Sequence, residues 1–91
     1  MSEDYDIAWT ASGRRSAARL PEKVAVAAIE FLYGPLAADP YRLGKPLKLA
    51  LEGLHSARRG DYRVIYRIDE KARRVDVVAI EHRGDVYRRR G

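Results

Sequence analysis

Cysteine is absent from this 91-residue chain. Disulfide staples, thiolate zinc sites and a cysteine nucleophile are thereby excluded, and two histidines alone make a poor metal set. No metal and no cofactor is expected. No stretch approaches the run of about 20 apolar residues that a membrane span needs. The acidic, polar opening MSEDYD also lacks the basic start and apolar block of a signal peptide. A cytoplasmic protein with no membrane partner is the expectation. Internal repeats, low-complexity blocks and linkers are lacking too, and the length suits one domain spanning residues 1–91.

What is present is enough apolar surface to offset the ordering of a short chain: 46% of residues are hydrophobic and 34% charged. The charge is unevenly placed. Residues 1–53 carry seven Lys/Arg against seven Asp/Glu, whereas residues 54–91 carry eleven against six, so the whole formal +5 lies in the last 38 residues. Ten of those eleven cations are arginine, whose planar fork matches phosphate and stacks on bases. A polyanionic partner is one reading. The other is an arginine-rich but ordinary solvated surface.

Along the chain, Tyr5, Ile7 and Trp9 alternate with Asp6 and Ala8 at the period of a half-buried strand. Thr10 offers an N-cap for a short helix that carries Arg14 and Arg15 outward and is weakened by Gly13. Pro21 and Glu22 suit the first turn of a second helix, whose Val24, Ala28, Phe31 and Leu32 recur at helical spacing. The spacing predicts that GPLAADP continues or kinks this helix and that Pro40 ends it. YRLGKPLKLALEG reads as a long connection. Three strands then follow: GLHSARR and DYRVIYRID around a tight turn at Gly60–Asp61, and RRVDVVAIEH beyond EKA. The predicted class is α+β. It has a small antiparallel sheet, made of the N-terminal strand and a C-terminal three-strand meander, with two N-terminal helices packed on one face.

Side chains alternate across a strand, so Tyr62, Val64, Tyr66 and Ile68 should meet the helices while Arg63, Ile65 and Arg67 face the other way. Arg58 and Arg59 must point to opposite faces, and at least one of them can join Arg63. Like charges directly opposite one another are destabilising, and an anion bound there would relieve them. Alternatively Asp69, Asp76 and Glu81 neutralise a merely solvated face. A second cluster ends the chain, where His82 and Arg83 precede Tyr87 and a run of arginines in a segment that suits a short helix. Cleavage of RNA requires an activated 2′-hydroxyl, charge stabilisation on the phosphorane and a proton for the leaving oxygen. A His, an Arg and a Tyr could divide those tasks. Each residue alone has an ordinary alternative in packing, a local hydrogen bond or solvated fraying.

Taken together, RLPEKV, DPYRLGKPL, LEGLHSARRGDYRVIYRID and HRGDVYRR, in that order over nearly the whole chain, resemble the RelE/ParE superfamily of bacterial toxins, and its RelE branch in particular. The specific phrase is GDYRVIY preceded by R-x and followed by HR-x-DVY from His82. The resemblance implies a compact RelE/ParE-like fold and a type II toxin that acts as a metal-independent, ribosome-dependent endoribonuclease. It would cut messenger RNA in the A site by 2′-hydroxyl attack on the adjacent phosphate. It implies as partners the ribosome and mRNA, a cognate RelB-like antitoxin, and operator DNA only as a complex with that antitoxin.

Carried over residue by residue, Arg63 and Arg83 match catalytic arginines, Tyr87 the C-terminal tyrosine of the motif, and His82 a histidine that related toxins use as acid or base. Arg58, Arg59, Arg67, Lys45, Lys48, Arg88 and Arg89 are the cations expected to hold RNA or ribosome. One departure stands out: where ribonuclease toxins of this branch carry strand lysines, this chain has Leu54 and Ser56, leaving His82 or Tyr87 as candidate bases. The resemblance also admits ParE-like relatives that inhibit DNA gyrase without cutting RNA. A plain RNA-binding module is disfavoured because Tyr62 and Tyr66 fall to the core and leave few stacking platforms.

Overall fold

A computed structural model describes residues 4–47 and 53–82. Strand β1 (Asp6–Trp9) leads into α1 (Ala11–Ala18) and α2 (Glu22–Phe31), followed by a π-helical segment at Leu32–Leu36. A one-turn helix α3 (Pro40–Leu43), an edge strand β2 (Lys45–Pro46), and strands β3 (Leu54–Arg59), β4 (Tyr62–Asp69) and β5 (Arg74–His82) complete it. The five strands form one sheet in the order β1-β5-β4-β3-β2. Among the described residues no helix is long and apolar enough to cross a membrane.

The expected α+β class is found, and Thr10 is the N-cap of α1: its hydroxyl accepts from the Gly13 N–H and donates to the Val77 carbonyl, both at 2.9 Å. Gly13 is a requirement of packing, because a Cβ there would collide with the Val77 carbonyl. Where β1 stops, α1 takes over the flank of β5. The Ser12 hydroxyl donates to the Val78 carbonyl at 2.8 Å, and Ser16 Oγ accepts from the Ile80 N–H at 2.9 Å. Those two backbone groups flank a β-bulge, since Ile65 pairs with Ala79 but Tyr66 pairs with Val77, leaving Val78 as the extra residue. Backbone groups of β5 left without a strand neighbour where β1 ends are thus satisfied by serine side chains.

Pro21 sits just outside α2 as its N-cap, with Glu22 in the first turn. The helix continues as expected through GPLAADP, widening to a π turn around Pro35. Proline lacks an N–H and crowds the carbonyl four residues back, and a wider turn accommodates both defects. It ends before Pro40, which then opens α3 at its first position, with Asp39 Oδ1 accepting from the Arg42 N–H at 3.2 Å. The segment read as a plain connection therefore contains a helical turn and an edge strand.

Among the described residues Leu32, Leu36, Pro40, Val64, Tyr66, Val75 and Val77 are the largest fully buried side chains, and all the sheet members among them lie on the helix face. Tyr62 reaches α2, donating to the Ala27 carbonyl at 3.3 Å, and Tyr66 donates to the Pro40 carbonyl at 2.6 Å. Gly60, in the left-handed region at φ 58°, closes the two-residue hairpin loop expected at Gly60–Asp61.

One topological expectation is corrected: the sheet is mixed. β1 runs parallel to β5, with Asp6 opposite Arg74 and Trp9 opposite Val77. Alternation of side chains reports which face is buried, not strand direction. β1 is separated from the meander by two helices, a crossover long enough to permit either sense.

Candidate nucleic-acid interface

The face of the sheet away from the helices carries no buried residue among those described. Pairing register arranges it in rows. Nearest the hairpin lie Arg58, Arg63 and Glu81; next come Lys45, Ser56, Ile65 and Ala79; then Leu54, Arg67 and Asp76; and last Asp69, Arg74 and Asp6. Among the described residues the hairpin half thus gathers Lys45, Arg58 and Arg63 against one carboxylate. The half toward the β4–β5 turn sets Arg67 and Arg74 against three.

Arg58 and Arg63 are directly opposite across β3 and β4, a placement that brings Cβ atoms to about 5 Å and sets like charges against each other. Arg63 is held from the other side: its Nε and Nη2 both donate to Glu81 Oε1, at 3.2 and 2.7 Å. Both side chains of that pair are 46% exposed. Among the described residues neither Arg58 nor Arg67 makes an ion pair. Arg74, by contrast, donates to Asp76 Oδ1 at 2.7 Å and to Asp69 Oδ2 at 3.1 Å. The Asp76 hydrogen bond chiefly, with the Asp69 charge behind it, raises its pKa above the usual arginine value.

Other polar groups are built into packing. Tyr5 and Tyr41 both donate to Glu70 Oε1 at 2.8 Å, hydrogen bonds that lower the Glu70 pKa and raise those of both tyrosines. The Arg73 guanidinium lies 4.2 Å from the centre of the Tyr5 ring. His55 stacks on Tyr66 with centroids 5.6 Å apart on the helix face, and burial lowers its pKa, so it is a neutral packing group near pH 7. Among the described residues no three His, Asp or Glu side chains converge as a metal site would require.

The profile for the ParE toxin of the type II toxin–antitoxin system parDE matches residues 7–87. The chain belongs to the ParE toxin family. Within it the chain is of RelE type. It is 56% identical over 90 residues to Toxin RelE of Mycobacterium tuberculosis, covering 97% of this chain and 93% of that protein. Toxin RelG of the same organism is 44% identical over 85 residues, 93% of this chain and 98% of its own. Among solved structures, the toxin–antitoxin complex RelBE2 of M. tuberculosis aligns with a TM-score of 0.86 at 41% identity, over 88% of this chain and 99% of that one. The isolated RelE toxin of Escherichia coli aligns at 0.70 with 16% identity, over 93% of each chain, a likeness of fold alone.

In this RelE-type toxin the residues singled out from sequence are distributed as follows. Arg58, Arg63, Arg67 and Lys45 share the open face. Arg59 lies on the opposite face, its guanidinium 4.8 Å from the Phe31 ring centre. His82 pairs with Tyr62, also on the helix face and half-buried, so the sheet separates its side chain from Arg63. The bulge causes this. Were β5 paired regularly onward from Val77, with no bulge at Val78, alternation would put His82 on the open face with Arg63, two residues along β5 from the position opposite it. Lys48, Arg83, Tyr87, Arg88 and Arg89, with the expected tail helix, lie outside the described residues. The pairing of Arg63 with Glu81, as opposed to Asp69 or Asp76, had no signal in the sequence short of knowing the register.

Proposed function

We propose that this RelE-type toxin is a metal-independent endoribonuclease that cuts messenger RNA in the ribosomal A site, with the hairpin half of the open face holding phosphates. The observation that carries the reading is the cross-strand pair Arg58 and Arg63 on a face that no described helix covers. Two guanidinium groups so placed repel each other unless an anion lies between them, and arginine forks match phosphate oxygens.

In this mechanism Arg63 or Arg83 stabilises the charge that develops on the phosphorane as the 2′-hydroxyl attacks. Arg58 and Lys45 fix the strand, and Tyr87 or His82 moves the proton. His82, on the helix face of β5, would reach the RNA only around the strand end, which favours Tyr87 for that task. A cognate RelB-like antitoxin would mask the basic half-face. The RelBE2 relative is itself a toxin–antitoxin complex, and antitoxin-borne operator binding follows the same analogy. A cytoplasmic site of action accompanies a ribosomal target.

The test is to add purified protein to ribosomes stalled on a defined message and to map new 5′ ends by primer extension. Cuts within the A-site codon, absent on naked RNA and absent with Arg83→Ala and with Arg63→Ala, are expected. Growth arrest with intact message and inhibited gyrase would overturn the reading in favour of the non-enzymatic ParE-like alternative.

A further inference from the structure

We propose that Glu81 is a built-in competitor for the phosphate that Arg63 binds, and that it sets how well an RNA strand must be held before Arg63 lets go. This rests on the RNA-binding reading of the open face. The geometry is specific. One carboxylate oxygen takes both Nε and Nη2 of Arg63 at 3.2 and 2.7 Å, occupying the side of the fork with which a phosphate would pair. Among the described residues Glu81 is also the single acid in the row that holds Arg58 and Arg63, so a phosphate entering there must displace it from Arg63.

The exchange is close to balanced. With 46% exposure on each side, the ion pair is screened and contributes little to folding, so it can open without cost to the sheet. Yet Glu81 is tethered one strand away and is present at a high effective concentration, on the order of millimolar by analogy with short linkers. A single phosphodiester of loose RNA competes poorly against it. A strand already positioned by other contacts does not face that disadvantage. Arg74 at the other end of the face shows the contrasting design, gripped by two carboxylates and unavailable. Glu81 is thus a positioning residue that keeps Arg63 aligned and makes naked RNA a poor ligand.

The experiment measures binding of a short oligoribonucleotide, 2′-deoxy throughout so that it cannot be cut, by fluorescence anisotropy. Glu81→Gln, with Glu81→Ala as a second variant, is expected to bind about fivefold tighter, the gain from releasing one exposed ion pair. Glu22→Gln, which makes the same charge change at the start of α2, should gain less than twofold. In an Arg63→Ala background the Glu81→Gln gain should vanish, and Glu81→Asp should restore wild-type affinity. A loss of packing would not tighten binding, so a merely structural role predicts none of this. If the gain persists without Arg63, or if Glu81→Gln matches Glu22→Gln while Arg63→Ala weakens binding, the competitor role is overturned and the RNA-binding face stands. If Arg63→Ala binds as tightly as wild type, both readings fall.

Discussion

The two ends of the open sheet face use the same side chain for opposite purposes. Toward the β4–β5 turn, Arg74 is fixed by Asp69 and Asp76, with Asp6 of β1 as its neighbour in register. Toward the hairpin, Arg58 and Arg63 face each other, and among the described residues Glu81 is the one carboxylate in their row. A guanidinium with two carboxylates on it is part of the scaffold. One that pairs with a single exposed carboxylate beside a like-charged neighbour retains an unmet demand for anion, and that asymmetry within one face is what supports the proposed site, more than net charge does.

The comparison breaks most visibly at Arg63. Replacing it with alanine should lower ribosome-dependent cleavage about 10²-fold, the effect of removing one preorganised transition-state donor. Thermal melting should fall by no more than about 6 °C, since an exposed ion pair contributes at most about 1 kcal/mol in a domain of this size. Equal losses from Arg63→Ala and Arg74→Ala would abolish the distinction between the two ends.

Next in size is a contrast between faces. Tyr66→Phe, on the buried side of the same strand, removes the hydrogen bond to the Pro40 carbonyl and should cost about 1–2 kcal/mol in urea unfolding with cleavage retained. Burial holds the folded Tyr66 pKa up at about 12 against 10.0. Its neutral form therefore supports stability fully below pH 10, and that support drains away as pH rises toward 12. Wild type should lose stability through that window more steeply than Tyr66→Phe, and identical alkaline profiles would count against the burial of this phenol.

A smaller effect is expected at Arg58. Alanine there should weaken binding of uncleavable RNA about fivefold, and one lost phosphate contact should flatten the dependence of log affinity on log salt by about 0.7. Smallest of all, Arg74→Ala should change RNA affinity by less than about twofold and stability by no more than about 1 kcal/mol, as for an exposed ion pair.

The division of faces could be read along β4 because period-two alternation is the direct imprint of one wet and one dry side: Tyr62, Val64 and Tyr66 are buried, Arg63 and Arg67 exposed. The caps were equally readable, since Thr10 and Pro40 act through local geometry. What could not be read depends on distant partners. VVAI, residues 77–80 of β5, is uniformly apolar, so nothing in it marks Val78 as the bulged residue, although that bulge keeps His82 on the helix face. The parallel sense of β1 and the pairing of Glu81 with Arg63 are likewise properties of register between strands far apart in sequence. The phrase GDYRVIY pointed to the proposed site, while the electrostatics there emerged only with Glu81 in place.

The parallel seam between β1 and β5 also sets an order of events during synthesis. Asp6 must wait for Arg74, and Tyr5 for Glu70, before the N-terminal strand has a neighbour on which to form its ladder. Contacts that span most of a chain close late and slowly, so a nascent polypeptide that has left the ribosome only as far as β4 has no completed sheet. The arginine row of β3 and β4 can form as a local hairpin, but the strand that supplies Glu81 is also the one that closes the fold. Assembly of this protein and the tempering of its cationic face are therefore one step, taken as β5 docks.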